Sequence, residues 1–243
     1  MEVDSTFYQP PSGKAAAHWL EQTSPGFRFS FKMPREITHE LRLRDCERQL
    51  GAFLESLEPL RARLGCILIQ LSPKFHPAGV EKALRQFLTA LPAGFHYAVE
   101  FRHADWHLPR IVHSLEDRGV CWAWTDTSPL RDRNRGAFEP MPQTAPFLYI
   151  RLLGDLGNKY HPGGGNFHRY TGLQWPRDSS LENWSIKIQK HLAETVDIFV
   201  NCSNHFEGFA PLTCQRIGQL LGIPIELPAI PMEAPAQKQM DLL

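Results

Sequence analysis

The chain has 243 residues, room for one large domain or two small ones, and its 42% hydrophobic and 21% charged content argues against a disordered or fibrous protein. Lys plus Arg and Asp plus Glu both number 26, so the formal net charge is zero and no global field favours a polyanion or an anionic membrane. The five cysteines Cys46, Cys66, Cys121, Cys202 and Cys214 form no C-x-x-C pair, which speaks against a disulfide framework or a thiolate zinc site and fits a reducing cytoplasm. No apolar run approaches the roughly 18 residues needed to cross a bilayer, and no basic segment leads into an apolar one at the N-terminus. A cytoplasmic protein is the expectation.

EVDSTFY reads as a strand, with Val3, Ser5 and Phe7 on one face and Glu2, Asp4 and Thr6 on the other, stopped by Pro10 and Pro11. SGKAAAHWLEQT is helical with Ser12 as N-cap. FRFSFKMP alternates, with Phe27, Phe29 and Phe31 opposite Arg28, Ser30 and Lys32. A long helix is predicted from Leu43 until Gly65 ends it. GCILIQLSP, FHYAVEFRH, VCWAWTDT, FLYIRLLG and DIFVNCSN read as further strands.

The helical stretches between them are GVEKALRQFLTALP, DWHLPRIVHSLEDRG with Pro109 in its first turn, SLENWSIKIQKHLAET and APLTCQRIGQLLG. TSPLRDRNRGAFEPMPQTAP reads as a loop, and GDLGNKYHPGGGNFHRYTGLQWPRDSS as a long insertion suited to a lid or binding loop. Residues 1–223 form one predicted domain and 224–243 a Pro-rich tail.

Alternating strands and helices imply parallel pairing through right-handed crossovers, in an open doubly wound sheet or a closed TIM-type (β/α) barrel. No G-x-G-x-x-G or G-x-x-x-x-G-K-[ST] follows any strand, so no nucleotide cofactor is expected and the α/β TIM-type barrel is favoured. Seven strands are recognisable where a closed barrel needs eight in about 250 residues. The expectation is that the chain lacks an N-terminal βα unit; a seven-stranded or open barrel is the alternative.

Barrel active sites lie at the C-terminal ends of the strands, and every predicted strand carries polar residues near its end. They are Glu2, Asp4 and Thr6, then Lys32, then Gln70 and Ser72, then Glu100 and Arg102, then Asp126, Arg151, and Asn201 with Asn204. Burying so many charges demands either mutual pairing or a wet cavity. Lys32, Arg102 and Arg151 would hold a small anionic substrate, Glu100 and Asp126 would move protons, and Gln70 and Asn204 would orient. A divalent metal on the carboxylates with His39, His103 or His205 is disfavoured, because cations are interleaved with them. A glycosidase with Trp106, Trp122 and Trp124 as platforms is also weaker, since these suit the core. The alternative from another class is a non-catalytic barrel binding nucleic acid or a partner through a patch such as Arg131, Arg133 and Arg135.

The stretches EVDSTFY, FSFKMPREITHE, LIQLSP, YAVEFRHADW and FVNCSNHFEGFAP occur in order, and together they resemble the domain of unknown function 72 family, also called YecE-like. The resemblance runs from Glu2 to about Ile223 and implies a TIM-barrel fold, normally with one more strand and helix before the first motif. Carried over, it marks Glu2, Ser5, Thr6, Phe7, Tyr8, Lys32, Pro34, Thr38, His39, Gln70, Pro73, Glu100, Arg102, Trp106, Asp126, Arg151 and Asn204. Lys32, Glu100 and Asp126 are the expected catalytic set, and Glu2, Thr6, Tyr8, His39, Gln70, Arg102, Arg151 and Asn204 the expected binding set. The family's frequent His-Gly is replaced here by Leu153-Gly154, and Asp4 stands where Asn is more common.

Overall fold

Ser12 accepts a hydrogen bond from the Ala15 N–H (3.2 Å) and so starts helix α1 (Gly13–Glu21). Its Trp19 stacks on Phe29 and Phe31 of strand β2 (Phe29–Lys32), at 5.9 and 6.0 Å between centroids, which turns the apolar face of β2 toward the helix layer. Ser30 and Lys32 therefore take the opposite, inner face. The computed structural model describes residues 1–127, 141–154, 170, 172–194 and 197–227.

The same alternation continues through α2 (Glu47–Leu57), β3 (Leu64–Gln70), α3 (Pro77–Ala90), β4 (Tyr97–Glu100), α4 (Pro109–Glu116), β5 (Cys121–Trp122) and β6 (Trp124–Thr125). It ends with β7 (Phe147–Leu152), α5 (Asp178–Gln189), β8 (Asp197–Cys202), α6 (Asn204–Glu207) and α7 (Ala210–Leu220). Proline sits in the first turn of α3, α4 and α7, where its missing N–H costs nothing. No helix among the described residues is long and apolar enough to cross a membrane.

All ladders are parallel, in the orders β1-β2-β3-β4-β5 and β6-β7-β8, with β1 here Glu2–Val3. β5 and β6 are halves of one run broken at Ala123, whose N–H donates to Val99 O at 2.9 Å. Two apolar layers result. An outer core of Ile67, Ile69, Val99, Trp122, Leu148 and Ile150 packs among the helices, and an inner core of Cys66, Leu68, Ala98, Cys121, Phe147 and Tyr149 fills the other face.

Two expectations need correction. The first strand stops at Val3, and Ser5–Phe7 forms a 3₁₀ turn, because the Thr6 hydroxyl sits within hydrogen-bond reach of both Val3 O (3.0 Å) and Lys32 O (2.8 Å). Helix α2 starts at Glu47, since Arg42, Leu43 and Asp45 have φ of 54°, 65° and 46°, and Gly65 lies inside β3 rather than capping a helix. There it occupies a bulge against β2, and a Cβ on it would meet the Phe199 ring of β8 at 2.9 Å. The barrel expectation holds in its coarser form, an α/β fold of parallel sheets: no closed barrel is found, and among the described residues β1 pairs only with β2 and β8 only with β7. β8 is half-buried from Ile198 to Cys202, whereas β4 and β7 are buried throughout.

His107 sits edge-on to Trp122, 4.5 Å between centroids, and burial pushes its imidazole down to about 4. Its pKa is thus lower folded than unfolded, so its contribution is complete above about 6.5 and is lost as the pH falls toward 4. Wild type is expected to lose about 1–2 kcal/mol across that window that His107→Phe retains, after discounting for partial exposure. Urea titrations of both proteins at pH 7 and pH 4.5 check this; parallel losses would exclude His107 as the source.

Candidate functional site

Register brings polar strand ends together: Gln70 of β3 lies opposite Glu100 of β4, and Arg151 of β7 opposite Asn201 of β8. Arg151 is 4% exposed and reaches across the inner face to β1, where its Nε donates to Glu2 Oε2 at 2.9 Å. Its Nη2 also binds Glu2 and its Nη1 binds Glu100. Tyr149, two residues back on the same face, donates its hydroxyl to Glu2 Oε2 at 2.6 Å. Gln70 Nε2 donates to Glu100 Oε1 at 2.9 Å.

Burial works against the Arg151 charge, yet the Glu100 and Glu2 carboxylates outweigh it and hold the guanidinium well above its ordinary range. Burial, then the Glu2 charge, keeps the Tyr149 phenol protonated and therefore a donor. Glu2, Arg151 and Glu100 thus form a floor of net charge −1 with its hydrogen bonds largely made.

The rim is less complete. Among the described residues Lys32 pairs only with Asp4, at 3.6 Å and itself exposed, and its ammonium lies 4.3 Å above the Phe7 ring. Burial lowers the Lys32 pKa most, Asp4 opposes this, and Arg151 lowers it further. Arg102, one-third exposed, approaches Glu100 Oε1 no closer than 3.8 Å. Asn201 shares the face of Phe199, and its buried Nδ2 has no hydrogen-bond partner among the described residues. Several donors around the floor are therefore unspent.

His39 belongs to this rim. Its Nδ1 is 2.9 Å from the Thr38 hydroxyl and its ring meets Phe7 edge-on at 5.1 Å. Burial lowers its pKa, and the charges of Lys32, Arg35 and Arg102 lower it further, so it is neutral at pH 7. Tyr8 points to solvent and helps line an adjoining groove of about 680 Å³, with Phe7, Arg35, Glu40 and Arg48. Thr6 acts below the surface, tying β1 to β2.

Two expected site residues take other partners. Asp126 accepts the N–H groups of Leu153 (2.6 Å) and Gly154 (2.8 Å). Burial raises its pKa against those hydrogen bonds. Asn204 Oδ1 accepts the Ala210 N–H (2.8 Å) at the start of α7. Tyr149 is the member that motif reading missed, although its two-residue spacing from Arg151 in FLYIRLL put it on the right face. All five cysteines are free thiols. The basic stretch Arg131, Arg133 and Arg135, most of the Asp155–Ser180 insertion and most of the tail lie outside the described residues.

Fold and site together define an α/β protein of parallel sheets with a polar cluster at its strand ends. The chain belongs to the family described as "Protein of unknown function DUF72", whose model matches residues 1–239. It is 35% identical over 135 residues to the UPF0759 protein YecE of Escherichia coli O157:H7 and to that of strain K12, a match covering 54% of this chain and 49% of each relative. The chain thus spans about half the length of the curated relatives it matches. Its fold is similar to that of a DUF72 family protein of Enterococcus faecalis V583, with TM-score 0.69 and 20% identity over 93% of this chain and 85% of that one. A DUF72 family protein of Thermotoga maritima MSB8 gives TM-score 0.67 and 23% identity over 91% and 84%.

Proposed function

We propose that the cluster is the active site of an enzyme of hydrolase, lyase or isomerase type, acting on a small anionic substrate at the strand ends of a TIM-type barrel. The barrel reading rests on the separate inner core, on Phe199 of β8 crossing to Gly65 of β3, and on Glu2 of β1 meeting Arg151 of β7. One further strand between β8 and β1 would complete it.

The observation that carries the functional reading is the contrast between floor and rim. Glu2, Arg151 and Glu100 are mutually satisfied, while Lys32, Arg102 and Asn201 keep donors available beside them. An anion bound between Lys32 and Arg102 would complete those contacts. His39, neutral and bordered by the same cations, would take the proton, with Glu100 positioning Arg102 and Arg151. Activity would then fall on the acid side as His39, its pKa lowered, gains a proton, and on the alkaline side as Lys32, its pKa also lowered, gives up its proton as the pH rises, sooner than an ordinary lysine would.

Thermal unfolding in a panel of phosphate, sulfate and small carboxylates tests this. At ten times its Kd a bound anion should raise Tm by about 3–6 °C. Lys32→Met should abolish that rise. His39→Asn should keep it and eliminate turnover of any compound that the wild type converts. No rise with any anion in the wild type would contradict the proposal.

A further inference from the structure

His76 follows β3 and His103 follows β4, so neighbouring parallel strands each deliver an imidazole to the same end of the sheet. Asp105 lies two residues beyond His103, and one ligand atom from each of the three falls within 4.8 Å of the others. His76 Nδ1 is 3.4 Å and His103 Nδ1 3.6 Å from Asp105 Oδ2, with the ring centroids 3.9 Å apart. Donor atoms around a tetrahedral zinc ion, with bonds of about 2.0–2.1 Å, stand roughly 3.3–3.4 Å from one another. Both edges to Asp105 already approach that spacing.

The segments carrying these ligands are tied together. Buried Trp106, next to Asp105, donates its Nε1–H to the carbonyl of Phe75, next to His76, at 2.8 Å. Among the described residues, Asp105 has no Lys or Arg partner, and its only ion pairs are with these two histidines. A salt bridge to a permanent cation therefore does not explain the cluster. All three side chains remain at least a quarter exposed, so an ion can reach them.

We propose that His76, His103 and Asp105 form a binding site for a divalent transition-metal ion, distinct from the Glu2–Arg151–Glu100 floor. The His76 and His103 Nδ1 atoms and Asp105 Oδ2 are the ligands, leaving a position open to solvent or to a ligand oxygen. Two imidazoles with a single carboxylate select zinc, cobalt, nickel or copper over magnesium or calcium, which prefer oxygen. The ion replaces two hydrogen bonds, the 3.2 Å contact from the Asp105 N–H to His103 Nδ1 and the 3.4 Å contact between His76 Nδ1 and Asp105 Oδ2.

Titration calorimetry of zinc chloride into the chelator-treated full chain provides the test. One ion per chain is expected to bind, and His76→Gln and Asp105→Asn should each weaken it by more than the roughly tenfold that losing even an outer-shell partner costs. The metal-free variants should keep the wild-type Tm, because the replaced side chains are exposed. If a variant loses Tm, His103→Gln is titrated in its place. No binding to the wild type, or undiminished binding to the folded variants, would overturn the assignment.

Discussion

Arg151→Met is expected to lower the free energy of unfolding by about 3–5 kcal/mol, as removal of one partner from a buried ion pair does elsewhere. Glu100 is 1% and Glu2 10% exposed, so without the guanidinium both carboxylates stay buried with too few donors. The cost comes from those stranded charges more than from the lost attraction. Adding Glu2→Gln and Glu100→Gln to Arg151→Met should therefore recover much of the loss. Urea unfolding of the single and triple variants measures both quantities, and a single-variant loss under about 1 kcal/mol would mean the cluster is well hydrated.

Gly154→Ala should cost about 2–4 kcal/mol, combining left-handed backbone strain with overpacking. Gly154 has φ +74°, and a Cβ there would overlap His205 O and lie 2.5 Å from the Phe206 Cα. These are backbone atoms and cannot swing aside as a flexible side chain would. The Gly154 N–H also donates to Asp126, so a shift at this position disturbs the junction between β6 and β7. The urea midpoint reads the effect, and a loss below about 0.5 kcal/mol would show that the β7 end yields freely.

Local chemistry made much of the fold readable in advance. Alternation in FRFSFKMP located β2, Ser12 announced α1, and Pro109 marked the first turn of α4. The failures have tertiary causes. EVDSTFY alternates like a strand to its end, but the Thr6 hydroxyl is drawn to Lys32 O, 26 residues away, and no periodicity reports that. Gly65 resembles a helix stop because a helical pattern precedes it; its real constraint is the Phe199 ring on a distant strand.

The site divides in the same way. Residue type and strand position were enough to nominate Glu2, Lys32, Gln70, Glu100, Arg102 and Arg151, all of which meet in or around one cluster. Who pairs with whom was not legible, since Arg151 and Glu2 are 149 positions apart. Asp126 and Asn204 share the same strand-end logic, but nearby backbone N–H groups claim their oxygens. A polar residue near a strand end is therefore a candidate until its hydrogen bonds are counted.

A crystal structure of the protein soaked with the anion that most raises its Tm tests the central claim directly. The account predicts an oxyanion within hydrogen-bond reach of both Lys32 Nζ and the Arg102 guanidinium, above an unchanged Glu2–Arg151–Glu100 floor. An empty rim at saturating anion, or an anion bound only elsewhere, would contradict it.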